Sequence, residues 1–201
     1  MEARELGFDT SLETEEMSLP RIRLVQALSP EAMEGSAKPG DYILPDGSRV
    51  SEIVGVLLGV RRCRYYRTAE GLMCSSIGAT IGTGDPGGEC AQCELAKWSV
   101  REEGERVPPA CTLTYEYLLT GSYGVAVLSI STKSAGHVAS QLNTQIHLFG
   151  AGTVEVTLGT QLVQRPNRRY YIPRVLGFRP VGRQLPDGSS ESQAPEFSGS
   201  G

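Results

Sequence analysis

Residues 21–28 alternate: Ile22, Leu24, Gln26 and Leu28 fall on one side, Arg21, Arg23 and Val25 on the other. A period of two predicts a strand. Residues 29–40 are a polar loop with two prolines. Residues 41–44 and 48–50 flank Pro45-Asp46-Gly47 and predict a short hairpin. From Ser51 to Arg67 the chain is β-branched at first, then basic and aromatic. Val54, Val56, Leu58 and Val60 share one face, while Ile53, Leu57, Cys63 and Tyr65 share the other. Gly55 and Gly59 predict bends or bulges in it. A turn at Glu70-Gly71 leads into a strand over 72–77.

A glycine-rich segment follows, then a short helical piece near Glu94–Trp98 and a polar connector over 101–109. Alternation returns over 111–120, where Leu113, Tyr115, Tyr117 and Leu119 oppose Thr112, Thr114 and Glu116. After a turn at 121–124 comes an apolar strand to Ile130. The period then changes. Ala135, Val138, Leu142, Ile146 and Phe149 recur at three-to-four spacing, which predicts an amphipathic helix over 132–149. Ser131 or Thr132 caps its start and Gly150 ends it. Strands over 153–163 and 169–179 are joined by a turn at Arg165–Arg168.

Three strands (51–67, 111–120, 124–130), a helix and two more strands predict a mainly β chain of the OB-fold class. That fold is a five-stranded Greek-key barrel, here with the helix between strands three and four. Residues 70–111 then form an insertion between the first two barrel strands. The domain spans 20–180, with an acidic disordered segment over 1–19 and a disordered Pro/Gly/Ser tail over 181–201. A β-sandwich is the alternative, but it leaves the helix unexplained.

Composition sharpens this in one respect. The net charge of −4 is unevenly spread: residues 1–19 hold six acids and one base, and 184–201 hold three acids, so the body is at +4. A basic body with acidic ends suits a polyanion ligand, with the N-terminal segment competing for its site. No apolar run reaches membrane-spanning length, and an acidic start is wrong for a leader peptide. The expected location is therefore the cytoplasm, where thiols stay reduced.

Four of the five cysteines lie between 74 and 111: Cys74, then Cys90-Ala-Gln-Cys93, then Cys111. Four thiolates with no redox demand predict one structural, tetrahedral Zn2+. Such a clip would order the glycine-rich run Ile81–Gly88, which is too poor in side chains to pack unaided. Cys63, among arginines, is the alternate ligand if Cys74 is not one. A thiol redox pair at Cys90 and Cys93 is a weaker rival, because no βαβ pattern surrounds it.

Two stretches mix cations with flat rings, the combination that single-stranded nucleic acid needs. In the first, Arg61, Arg62, Arg64 and Arg67 interleave with Tyr65 and Tyr66. In the second, Arg165, Arg168 and Arg169 precede Tyr170 and Tyr171. Tyr123, Lys133 and Trp98 are candidates to lie nearby. Strand alternation forbids Tyr65 and Tyr66 from facing one ligand together. No catalytic constellation is present: His137 and His147 sit ten residues apart on one helix, pointing to different faces, and no phosphate loop or nucleophile motif occurs. The expectation is a protein that is not an enzyme.

These residues resemble a family. Pro20–Leu28 followed by Gly40–Ile43, Cys74-Ser-Ser76, Cys90 and Cys93 before Trp98, Pro108-Pro-Ala-Cys111 and the paired Tyr170–Tyr171 are similar to bacteriophage single-stranded-DNA-binding proteins. The resemblance spans about residues 20–179. It implies an OB-fold that coats single-stranded DNA in replication, recombination or repair, in an infected host cell and without enzymatic activity. Implied partners are the strand itself, replication or recombination proteins, and further copies of the chain on the DNA, with no membrane. The chain departs from many such binders in its tail, where only Asp187, Glu191 and Glu196 accompany Phe197. The runner-up is a phage scaffold or virion protein that uses the zinc loop for protein contacts.

Overall fold

The computed structural model describes residues 19–181, apart from positions 103 and 167. The expected acidic segment, save its last residue, and the tail beyond 181 lie outside the described residues, as does any contact they make. The chain runs through β1 (Arg21–Leu24), a short helix α1 (Pro30–Met33), β2 (Tyr42–Ile43), β3 (Arg49–Val50) and β4 (Ile53–Thr68). The cysteine segment contributes β5 (Gly71–Ile77), β6 (Ile81–Gly84), β7 (Gly88–Glu89), β8 (Ser99–Val100) and β9 (Arg106–Val107). Then come β10 (Thr112–Gly121), β11 (Gly124–Ser131), α2 (Thr132–Phe149), β12 (Val154–Arg165) and β13 (Arg168–Pro180).

The order of the long elements is the expected one, but the expected five-stranded barrel does not form. Eleven strands make one mixed sheet, with β3-β2-β1-β11-β10-β4-β5-β6-β7 in line and β12 branching from β4 to carry β13. Two pairings account for the difference. The free edge of β11 is taken by β1, in parallel, with Arg21 opposite Val127. Strand β13 pairs with β12 alone, so the sheet does not close on itself. Between β1 and β13 the hydrogen bonds come from a side chain. The Gln26 amide donates to the Tyr171 carbonyl at 3.0 Å and accepts from the Tyr171 N–H at 2.8 Å.

Strand β4 organises the rest. One edge pairs with β10 from Val56 to Tyr65. The other edge takes β12 at its start and β5 at its end. The cysteine segment is thus no inserted loop. It extends the main sheet through β5, β6 and β7, and its glycines are what let it pack. Gly84 has φ +107°, and a Cβ there would stand 2.1 Å from the Met73 carbonyl oxygen, so only glycine allows β6 to lie this close to β5.

A bulge in β4 sets which residues face which side. Leu57 lies opposite Leu119 but Gly59 lies opposite Leu118, so Leu58 is extra. One extra residue reverses the alternation. Before it, Ile53 and Leu57 share the core face with Leu119. After it, Val60, Arg62 and Arg64 lie opposite Tyr117, Tyr115 and Leu113, and Arg61, Cys63 and Tyr65 turn to the outer face. The expected common face of Leu57, Cys63 and Tyr65 is therefore wrong beyond the bulge.

Helix α2 covers the core face. Ala135, Val138, Ala139 and Leu142 pack on Tyr117, Leu119, Leu128 and Ile130. The Tyr117 hydroxyl lies 3.0 Å from the Ala139 carbonyl oxygen and 2.9 Å from the Asn143 side-chain oxygen, which share its one proton. Ser131 caps the helix, accepting from the Lys133 N–H. Phe149, expected on the buried face, is exposed. No described helix is long and apolar enough to cross a membrane.

Candidate nucleic-acid interface and cysteine pocket

The four cysteines converge. Cys74 on β5 lies opposite Tyr66 of β4, and Cys111 directly precedes β10 on the other edge of β4. Cys90 and Cys93 are folded over them by the turn after β7, where the Cys93 N–H donates to the Glu89 carbonyl. The Cys111 N–H donates to the Leu95 carbonyl at 2.8 Å, which ties the turn to the sheet. All four line one small cavity of about 10 Å³ together with Arg64, Tyr66, Gly82 and Leu95, about the space of a single water. No cysteine is bridged to another. Burial pushes the Cys111 thiol up, against the Arg64 guanidinium and with help from Cys93 and Cys90. Among the described residues, no group of three or more His, Cys, Asp or Glu side chains is arranged to hold a metal ion. The thiols ring the cavity without being drawn together as ligands. Cys63 does not line it. It is fully buried on the opposite face, where burial and the Glu116 charge raise its thiol.

The first basic stretch is divided by the strand. Arg64 and Tyr66 are half-buried against the cysteine cavity, and Arg62 is exposed. On the outer face Arg61 and Tyr65 are engaged by Glu116, which is 2% exposed. Its Oε2 accepts from Arg61 Nε at 2.8 Å and lies 2.6 Å from Nη2. Its Oε1 accepts from Arg21 Nη1 at 2.9 Å and from the Tyr65 hydroxyl at 2.8 Å. Ser129 accepts from the same Arg21 nitrogen at 3.1 Å. Burial would push the Glu116 carboxyl up, but hydrogen bonds from Arg21, Arg61 and Tyr65 outweigh it and hold the group at about 2. The Tyr65 hydroxyl is pushed up in turn by burial and by its bond to Glu116. Arg67 sits over the Tyr65 ring, 5.7 Å from its centre. Tyr65 is thus spoken for on its hydroxyl and on one ring face.

The second stretch is the tip of the β12–β13 hairpin. Arg165 and Arg168 face each other across the turn and Gln164 lies opposite Arg169. The three arginines are exposed, line one open hollow, and have no ion-pair partner among the described residues. Their tyrosines are not free platforms. Tyr170 packs on the main core, and a Cβ on Gly40 would meet the Tyr171 ring at 2.8 Å. Tyr123 is likewise drawn inward. Burial pushes its hydroxyl up to about 12, and that oxygen has no hydrogen-bond partner among the described residues. Lys133 is exposed at the start of α2 and Trp98 is exposed beside β8.

Register separates the two basic stretches. Leu158 pairs with Ile53, the first residue of β4. Arg165 lies seven residues beyond that pair on one side and Arg61 eight on the other. At about 3.3 Å per residue the contour between them is about 50 Å.

Arg21, Glu116 and Ser129 have no part in the sequence-based site. Glu116 is legible only as a polar position in an alternating strand, and its partners lie 55 and 95 residues away. No family model, curated protein or solved structure matches the chain.

Proposed function

We propose that this chain binds single-stranded DNA without strong sequence preference, as the phage proteins it resembles do, in the cytoplasm of an infected cell. The observation that carries the reading is the β12–β13 tip: three exposed arginines on one hollow, none with a carboxylate partner among the described residues. Unpaired cations gathered at a tip repel one another and add nothing to the fold. A polyanion is what such a grouping suits. The exposed cations of β4, Arg62 and Arg67, extend the charge to the other end of the sheet. The half-buried, engaged tyrosines shift the weight of this reading from base stacking to phosphate contact.

The proposal includes one structural Zn2+ on Cys74, Cys90, Cys93 and Cys111. Its support is that four unbridged thiols from three separate stretches ring one ion-sized cavity. Zinc–sulfur bonds of about 2.3 Å would draw them inward and fix the turn over the sheet.

The test is a fluorescence-anisotropy titration with labelled single- and double-stranded oligonucleotides at two salt levels. Single strands should bind more tightly. With about four phosphates neutralised, log affinity should fall against log salt with a slope of roughly −3, at about −0.7 per phosphate. Arg168→Ala with Arg169→Ala should make that slope shallower. A preference for duplex, or an unchanged slope in the double variant, would overturn the reading.

A second reading has its own observation. Leu72, Ile77, Ile81, Trp98 and Val100, all in the cysteine segment, are exposed apolar side chains. They favour a scaffold or virion role in which that segment contacts protein, and such a chain would fail the titration above.

A further inference from the structure

We propose that Arg21 and Arg61, held side by side by the buried Glu116, form a seat for one phosphodiester group of the bound strand. This rests on the single-strand reading and adds to it Arg21 and the pairing with Arg61, which the arginine-rich stretches do not reveal.

The geometry is that of two anchored forks. Arg61 spends its Nε and Nη2 edge on Glu116 Oε2. Arg21 spends Nη1 on Glu116 Oε1 and the Ser129 hydroxyl. Arg61 Nη1 and Arg21 Nε and Nη2 have no hydrogen-bond partner among the described residues. The side chains reflect the same division: Glu116 is 1% exposed, while Arg21 is 50% and Arg61 41% exposed. Each guanidinium is gripped from below and open above.

Charge supports a monoanion as the ligand. Two guanidiniums and one carboxylate leave +1, which a phosphodiester group neutralises. Anchoring also lowers the cost of binding, because these side chains have already lost rotamer freedom that a loose surface arginine loses on contact. A cluster serving only to tie β1 to the sheet would not need Arg61. That residue lies directly opposite Glu116 in the β4–β10 ladder, where the strands are already joined. The seat is on the outer face of the sheet, away from α2.

The test is the salt dependence of binding to a labelled oligothymidylate, measured for the full chain with Arg21→Gln, Arg61→Gln and Arg21→Lys. Each Gln variant should weaken binding and reduce the slope by about 0.7, the share of one phosphate. Arg21→Lys should restore the slope but bind several-fold more weakly than the native chain, since it keeps the charge and loses the fork. A folded Arg21→Gln with the native slope would overturn the seat, because a purely structural role lowers thermal stability and leaves the slope alone. If Arg21→Gln does not fold, Arg21→Lys decides: native affinity in that variant overturns the proposal. Should Arg168→Ala flatten the slope while the Arg21 and Arg61 variants do not, the seat fails and single-strand binding stands. Should the native chain not bind oligothymidylate at all, both fail.

Discussion

Glu116 makes the outer face of the sheet sensitive to acid. Its carboxyl moves from an ordinary 4.5 to about 2 on folding. A depressed value stabilises the fold above the unfolded pKa, and that stability is lost as pH falls through the folded one. The interval is therefore between about pH 4.5 and pH 2, with roughly 3 kcal/mol at stake. Urea denaturation at pH 5 and pH 3 should show the native chain losing roughly 2 kcal/mol more than Glu116→Gln, which has no proton to take up there. Equal losses in the two proteins would mean that folding does not shift the Glu116 carboxyl. At this scale the sequence was half legible. Arg61 and Tyr65 stood out as a cation beside a ring, but their partner is set by the β4–β10 register, which no local pattern encodes. Tyr170, Tyr171 and Tyr123 are candidate stacking rings by sequence, but Gly40, Gly55 and the core draw them in, which no local pattern announces.

Among the elements, the long strands and α2 were legible because each is a run of eight residues or more whose apolar positions alternate, run on or recur helically, even where a bulge later shifts the register. Strands β6 to β9 were not. They are two to four residues long, and β6 and β7 are half glycine, so no side-chain pattern announces them. The β4 bulge was foreseeable from Gly55 and Gly59, but its position was not, and one residue of slip exchanges the faces of Cys63 and Leu57. Gly84 gives the test at this scale. Gly84→Ala puts a methyl group against the Met73 carbonyl at a positive φ, and should cost upwards of about 1 kcal/mol in β5–β6. Hydrogen exchange should quicken at residues 73–90 and hold steady in α2 and β10. Unaltered exchange in β5 would show that the strand pair tolerates the side chain.

For the whole molecule, the order of the long elements along the chain was legible, but the eleven-stranded sheet they build and its lack of closure were not. Closure depended on β1, four residues long and 106 positions from its partner Val127, and a strand that short leaves no sign of which edge it will take. The convergence of the four cysteines was legible from spacing, although a sheet extension brings them together instead of a loop. Protein purified without chelator should carry one zinc per chain by elemental analysis. Removing it should loosen the cysteine segment and spare the α2 core, since such sites supply on the order of 10–16 kcal/mol in small peptides. Zinc-free protein with a fully protected segment would end that proposal.

The three-way pairing of β4 also bears on how the chain is made. Val56 receives its β12 partner, Glu155, only after 99 more residues have been added. At bacterial and slower synthesis rates of about 5–20 residues per second, that is roughly 5–20 s. Throughout that interval the start of β4, with Val54 and Val56, offers an open apolar edge to any neighbouring nascent chain. Crowded polysomes, such as those of a rapidly expressing cell, are where this protein should aggregate first. Slowing initiation, more than cooling the finished protein, should raise its soluble yield.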